Sequence, residues 1–172
     1  MVIIMKKLLV LLAALAAMTF VMTSCGSEGT ESGTSSVAQT GAGYEFKANG
    51  VTVAMDAKAA DLVDKLGEYE YFEAPSCAFQ GLDKTYTYAG FELVTYQQGE
   101  VDHVLSVSLL DDSLTTPEGV TIGSSLDDVK KAYGDSFTQD GSSYKYKKGN
   151  TILTFIVEDD AVTSVEYKAD VE

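Results

Sequence analysis

Few side chains in this sequence could do covalent or metal chemistry, and their spacing argues against it. His103 is the one histidine of 172 residues, and the two cysteines are Cys25 and Cys77. One imidazole and two separated thiols cannot supply the three or four ligands of a transition-metal site. The acidic pairs Asp111-Asp112 and Asp127-Asp128 and the run Glu158-Asp159-Asp160 lack the alternating oxygen ligands and terminal Glu of a calcium loop, so they read first as turns or a helix start. A hydrolase needs a nucleophile beside a base. No Gly-x-Ser-x-Gly elbow occurs, and Gly123-Ser124-Ser125 reads as the entrance to a helix. His103, in Val101-Asp102-His103-Val104, is expected to be a solvated turn residue before a strand. Cys77 has no Lys, Arg or His neighbour to stabilise a thiolate and is expected to be a buried, inert thiol. The expectation is no catalytic residue, no metal ligand set and no non-covalent cofactor.

Recognition chemistry is better represented. The chain has ten tyrosines and no tryptophan, and tyrosine combines a large contact area with a polar tip at low entropic cost. Period-two alternation sends Tyr86 and Tyr88, and likewise Tyr144 and Tyr146, to a common sheet face. These four are the candidate ligand-binding residues. Two readings stay open: half-buried support beneath the helices, or an exposed binding face.

Charge narrows the partners. There is no arginine, and removing Lys6 and Lys7 with an N-terminal leader leaves 10 of the 12 lysines against 26 acidic residues, a net charge of −16. Such a field repels phosphate backbones and anionic headgroups, so no nucleic acid partner is expected, and membrane attachment cannot rest on a basic patch.

The elements that must position these residues come in two similar halves. Gly50-Val51-Thr52-Val53 answers Gly119-Val120-Thr121-Ile122, and each precedes a short helical pattern closing on Gly67 or Gly134. Ser125 with Asp128 forms a capping-box pattern, with Leu126, Val129 and Tyr133 on one face. Asp56 is expected to cap the first helix, whose buried stripe is Leu62, Val63 and Leu66. Strand patterns then follow in parallel: Tyr86-Thr87-Tyr88 with Tyr144-Lys145-Tyr146, Val94-Thr95-Tyr96 with Leu153-Thr154-Phe155, and Ser106 to Leu109 with Ser164 to Tyr167. Gly149-Asn150 and Glu158-Asp159-Asp160 mark hairpin turns. The stretch from Tyr69 to Asp83, with Tyr69, Tyr71, Phe72, Cys77 and Phe79, has no counterpart and reads as an insertion. The fold class expected is α+β: two tandem repeats (about 50–112 and 119–169), each a short helical segment plus a three- to four-stranded antiparallel sheet.

The N-terminus is a different kind of segment. Lys6 and Lys7 precede an apolar run from Leu8 to Val21, too short for the roughly 18–20 residues of a membrane-spanning helix. Met22-Thr23-Ser24-Cys25 follows and resembles the lipobox of bacterial lipoproteins, with Met22 in the Leu-like place. The resemblance implies a signal peptide at 1–24, cleavage before Cys25, and a thioether-linked lipid on Cys25 as the membrane anchor. Residues 25–43 then form a Gly/Ser/Thr-rich tether, with a root-mean-square span of about 20–25 Å. With Cys25 lipidated, Cys77 has no disulfide partner.

The repeat order over Gly50 to Tyr167 resembles the tandem-repeat fold of secreted β-lactamase inhibitor proteins and related small envelope lipoproteins, in the domain at 44–172. The paired cysteines and tryptophans of the inhibitors are missing here, so the resemblance implies the fold and not the inhibition. Together these readings predict a lipid-anchored, extracytoplasmic, non-enzymatic binding module for a protein, peptide or cell-envelope ligand. An envelope-acting hydrolase and a structural lipoprotein of a membrane complex are the alternatives.

Overall fold

The computed structural model describes residues 43–171. Cys25, the signal segment and all of the tether but Gly43 lie outside the described residues. What is described is mostly antiparallel β structure with a single α-helix.

Ten strands form two sheets. β1 (Glu45–Ala48) and β2 (Val51–Ala54) make a two-stranded hairpin. The other eight are β3 (Glu70–Pro75), β4 (Leu82–Tyr88), β5 (Phe91–Gln98), β6 (Val101–Leu109), β7 (Thr138–Asp140), β8 (Ser143–Lys148), β9 (Thr151–Glu158) and β10 (Ala161–Ala169). They lie in one sheet of order β3-β4-β5-β6-β10-β9-β8-β7, antiparallel throughout. Each half of the chain therefore contributes a four-stranded meander, and the two meet at β6 and β10. The three- to four-stranded antiparallel sheet expected of each half is a four-stranded meander, and the two meanders are joined in one continuous sheet.

Alternation explains why these residues form strands with one dry face. In β9, Thr151, Leu153, Phe155 and Val157 are buried while Ile152, Thr154 and Ile156 are half-buried. Register carries the dry face across six strands: Tyr86, Leu93, Val107, Tyr167, Leu153 and Tyr146 are successive cross-strand neighbours, and the exposed Tyr71 of β3 continues the row at its open end. The hairpin lies over the middle of this row, with the Phe46 ring 4.9 Å from Phe91 and 5.8 Å from Tyr167. Asn49 and Gly50 turn it with φ of 51° and 76°, the left-handed pair that suits a tight hairpin. At the other face sit Thr85, Val94, Ser106, Ile152 and Glu166, and none of the largest fully buried side chains belongs to it.

The helix in the second half forms as its sequence dictates. α1 (Leu126–Tyr133) begins with a complete capping box: Asp128 N–H donates to Ser125 Oγ at 3.1 Å, and Ser125 N–H returns a bond to the Asp128 carboxylate at 3.2 Å. Those bonds, first from the Ser125 side chain, hold the Asp128 carboxyl below its ordinary range. Gly134, at φ 81°, ends the helix and its N–H donates to Lys130 O at 2.7 Å.

The first half departs from expectation. In place of a helix capped by Asp56 there are two 3-10 turns, Ala59–Asp61 and Val63–Lys65, neither with a side-chain cap. The cause lies upstream. Asp56 N–H donates to Val104 O at 2.9 Å and Val104 N–H donates to Ala57 O at 2.8 Å, so residues 56–58 are drawn out alongside β6. The Asp56 carboxylate is engaged by Tyr96 and His103 instead of a helix N-terminus. The segment from Ala59 to Leu66 is as long as α1 but starts without a side-chain cap, and short i→i+3 turns take the place of a regular helix. Val63 and Leu66 are still buried, and Leu62 is half-buried. The matching sequences at Gly50 and Gly119 also diverge, since Val51–Ala54 is a strand and 120–122 is a loop. Tyr69 to Asp83 is not a free insertion: it supplies the outer strand β3 and the loop into β4.

Leu153→Ala, at a fully buried site in the middle of the row, is expected to destabilise the fold by about 2–5 kcal/mol. Ser125→Ala should cost about 1 kcal/mol through the cap. Urea denaturation measures both, and an unchanged midpoint for the first would contradict this core.

Candidate binding surface

The four candidate tyrosines all point to the dry face, and burial divides them. Tyr88 is 5% exposed; its hydroxyl donates to Val63 O at 3.0 Å and its ring stacks on Phe91 with centroids 4.6 Å apart. Tyr146 is 1% exposed, and its hydroxyl donates to Gly134 O at 2.9 Å. Burial pushes both hydroxyls above their ordinary pKa. These two rings pin the 3-10 segment and the C-terminus of α1 to the sheet, so they offer no free face to a ligand. Tyr144 is half-buried, edge-on to Phe137 at 5.1 Å, and accepts from Gln139 Nε2 at 3.1 Å. Tyr86, half-buried, is the one candidate that belongs to an exposed aromatic group.

That group sits at the β3 edge of the large sheet. Tyr86 lies between Tyr69, at 5.1 Å, and Tyr71, at 5.3 Å, and Tyr69 also meets Tyr88 edge-on. Tyr69, Tyr71 and Phe72 are 38%, 49% and 65% exposed, three of the five large apolar side chains left open among the described residues. Because β3 alternates, Tyr71 and Glu73 share the tyrosine side while Glu70 and Phe72 face the other way. Aromatic surface is thus displayed on both sides of one strand.

Charge around the edge is acidic. Tyr71 donates to the Glu73 carboxylate, and that bond pushes the Tyr71 hydroxyl up to about 12. Lys84, the cross-strand neighbour of Glu73, is committed elsewhere: its ammonium lies 2.7 Å from Asp102, which raises its pKa. Glu68, Glu70 and Glu73 have no ion-pair partner among the described residues. An open depression of about 460 Å3, lined by Glu68, Tyr69, Glu70, Thr87, Tyr88 and Ala89, adjoins the start of the strand.

The remaining sequence candidates are structural. His103 lies within β6, not in a turn, with a side chain only 16% exposed. The turn falls earlier, at Gly99 and Glu100, so Val101 already begins the strand. Its Nδ1 is 2.8 Å from Asp56 O and 3.2 Å from the Asp56 carboxylate, which also accepts from the Tyr96 hydroxyl at 2.6 Å. This cluster ties residues 56–58 to β6 and contains no nucleophile. Cys77 is exposed, contrary to expectation. Ser76 Oγ accepts from Phe79 N–H at 3.0 Å and turns the chain, so that Phe79 packs on Tyr96 at 4.7 Å and the thiol faces outward. Among the described residues no three His, Cys, Asp or Glu side chains converge as a metal-binding group.

β3 escapes sequence reading because Glu-Tyr-Phe-Glu has no apolar/polar alternation. A strand wet on both sides has no reason to alternate. Adjacent aromatics between two acids are the signal that was there to find.

Alkaline titration reports on these tyrosines. Their hydroxyls are raised above 10.0, Tyr71 chiefly by its bond to Glu73 and Tyr88, Tyr96, Tyr133 and Tyr167 chiefly by burial. Above pH 10 the unfolded chain gives up phenolic protons that the folded chain keeps, so the stability these groups contribute is full below pH 10 and falls as pH rises beyond it. Urea midpoints measured upward from pH 9 should fall beyond pH 10, and absorbance titration of Glu73→Gln should show one tyrosine moving back toward 10.0. A midpoint rising through this range would contradict the burial described.

Comparison with protein-family models, with characterised proteins and with solved structures finds no match for the chain.

Proposed function

We propose that this protein is a lipid-anchored, extracytoplasmic binding module without enzymatic activity, and that it recognises a protein or peptide of the cell envelope through the aromatic β3–β4 edge. The observation that carries the reading is the exposed group Tyr69, Tyr71 and Phe72 backed by Tyr86, where the other large apolar side chains of the described residues are mostly buried. Aromatic rings held by neighbouring rings lose little freedom on binding, which favours recognition. The lipobox-like Met22 to Cys25 and the tether support the location. A diacylglyceryl group on Cys25 contributes about 0.8 kcal/mol per buried methylene, and the tether leaves the domain free to turn.

The same proposal takes the large sheet as two tandem α+β repeats related to the β-lactamase inhibitor architecture. Support comes from the matching order of the two meanders and their meeting at β6 and β10. The second-half helix has its first-half equivalent in the two 3-10 turns.

Full-length protein expressed in a bacterial envelope and recovered after crosslinking tests the site. Tyr71→Ala/Phe72→Ala should lose the crosslinked partner while keeping the wild-type urea midpoint, because both side chains are exposed. Equal recovery would overturn the proposed surface. Cys25→Ser should move the protein from the membrane to the soluble fraction, and a variant still membrane-bound would contradict the anchor.

A further inference from the structure

The large sheet has two outer edges, and only one is protected. β7, at one edge, is three residues long and wholly polar, Thr138-Gln139-Asp140. β3, at the other, is six residues long, pairs with β4 without a bulge, and carries no lysine. Short length, bulges and edge lysines are the devices by which sheets prevent a further strand from adding. β3 has Pro75 at its last position and the charges of Glu70 and Glu73, which oppose an acidic strand and not a basic one. Its alternate N–H and C=O groups face away from β4, and among the described residues no strand lies beside them.

We infer that β3 is a strand-addition site for an extended, basic peptide segment of a partner protein, an inference that rests on the aromatic-edge reading above and specifies how that edge is used. Side chains directly opposite one another in an antiparallel ladder share a face and touch. The complement of Glu70-Tyr71-Phe72-Glu73 is therefore Lys-apolar-apolar-Lys, with each lysine against one unpaired carboxylate and the apolar pair against Tyr71 and Phe72. The main chain supplies the ladder and these side chains supply the choice of sequence. A second copy of β3 is a poor occupant. Antiparallel self-pairing brings Glu70 and Glu73 of both chains into one ladder, and the whole chain already carries a net charge of −14.

The test uses the full chain in detergent and fluorescently labelled acetyl-Ser-Lys-Val-Val-Lys-Ser-amide. Fluorescence anisotropy should show saturable binding. Successive N–H groups of a strand point to opposite sides, so N-methylation of one valine should weaken binding more than about tenfold, while N-methylation of the other leaves it nearly unchanged. Glu70→Lys/Glu73→Lys, at exposed positions, should exchange the preference of the protein to acetyl-Ser-Glu-Val-Val-Glu-Ser-amide. No saturable binding, equal effects of the two N-methyl groups, or an unchanged charge preference would overturn strand addition. So would sedimentation showing that the chain dimerises through β3 and that the peptide merely competes. Equal N-methyl effects together with lost binding in Tyr71→Ala/Phe72→Ala would overturn strand addition alone and leave the aromatic edge standing; full binding in that variant would remove both.

Discussion

Everything in this fold depends on the pairing of β6 with β10. Three register pairs, Ser106 with Lys168, Val107 with Tyr167 and Ser108 with Glu166, join two meanders that would otherwise be separate sheets. The pairing places Tyr167, fully buried, at the centre of the apolar row, where the Phe46 ring closes over it. A meander of four strands has two edges to protect. Joining at β6 and β10 removes one edge from each and leaves β7 and β3 as the outer strands. The functional question then becomes why one of these is short and polar and the other long and aromatic.

Much of the central sheet was legible from alternation and turn residues. β4, β5, β6, β8, β9 and β10 include the segments read as strands, and the turns at Gly149-Asn150 and Asp159-Asp160 fall where expected. α1 was legible because its signals are local: Ser125 and Asp128 cap it, and Gly134 stops it. The first-half helix failed for a non-local reason. Asp56 is a sound cap in isolation, but Tyr96 and His103, far along the chain, hold its carboxylate while Val104 holds its backbone. The β1–β2 hairpin was missed although Asn49-Gly50, between Phe46 and Val53, is a strong hairpin signal. Similarity to the Gly119 segment drew those residues into a repeat alignment instead.

The site was legible in residue type and not in placement. Alternation correctly puts Tyr86, Tyr88, Tyr144 and Tyr146 on one face, yet cannot tell which face is covered. Coverage comes from the hairpin, the 3-10 segment and α1, all of which pack on that face. On the covered face aromatic surface is left open where that layer ends, at Tyr69 and Tyr71, and Phe72 is open because it faces the uncovered side, so these three offer surface that the buried Tyr88 and Tyr146 do not. The fates of His103 and Cys77 follow the same logic. Each is set by what its neighbours hydrogen-bond, Asp56 for one and Ser76 for the other, and neither relation is visible in residue spacing.

The central claim is that recognition occurs at the β3 edge and not on the broad open face of the sheet. Amide hydrogen exchange of the full chain, with and without envelope extract, tests it most directly because it locates protection along the backbone. The account predicts that added protection is confined to β3 and the facing part of β4, 70–75 and 82–88. Protection gained instead along β9 and β10, over Ile152, Thr154 and Ile156 and their neighbours Ser164 and Glu166, would contradict it.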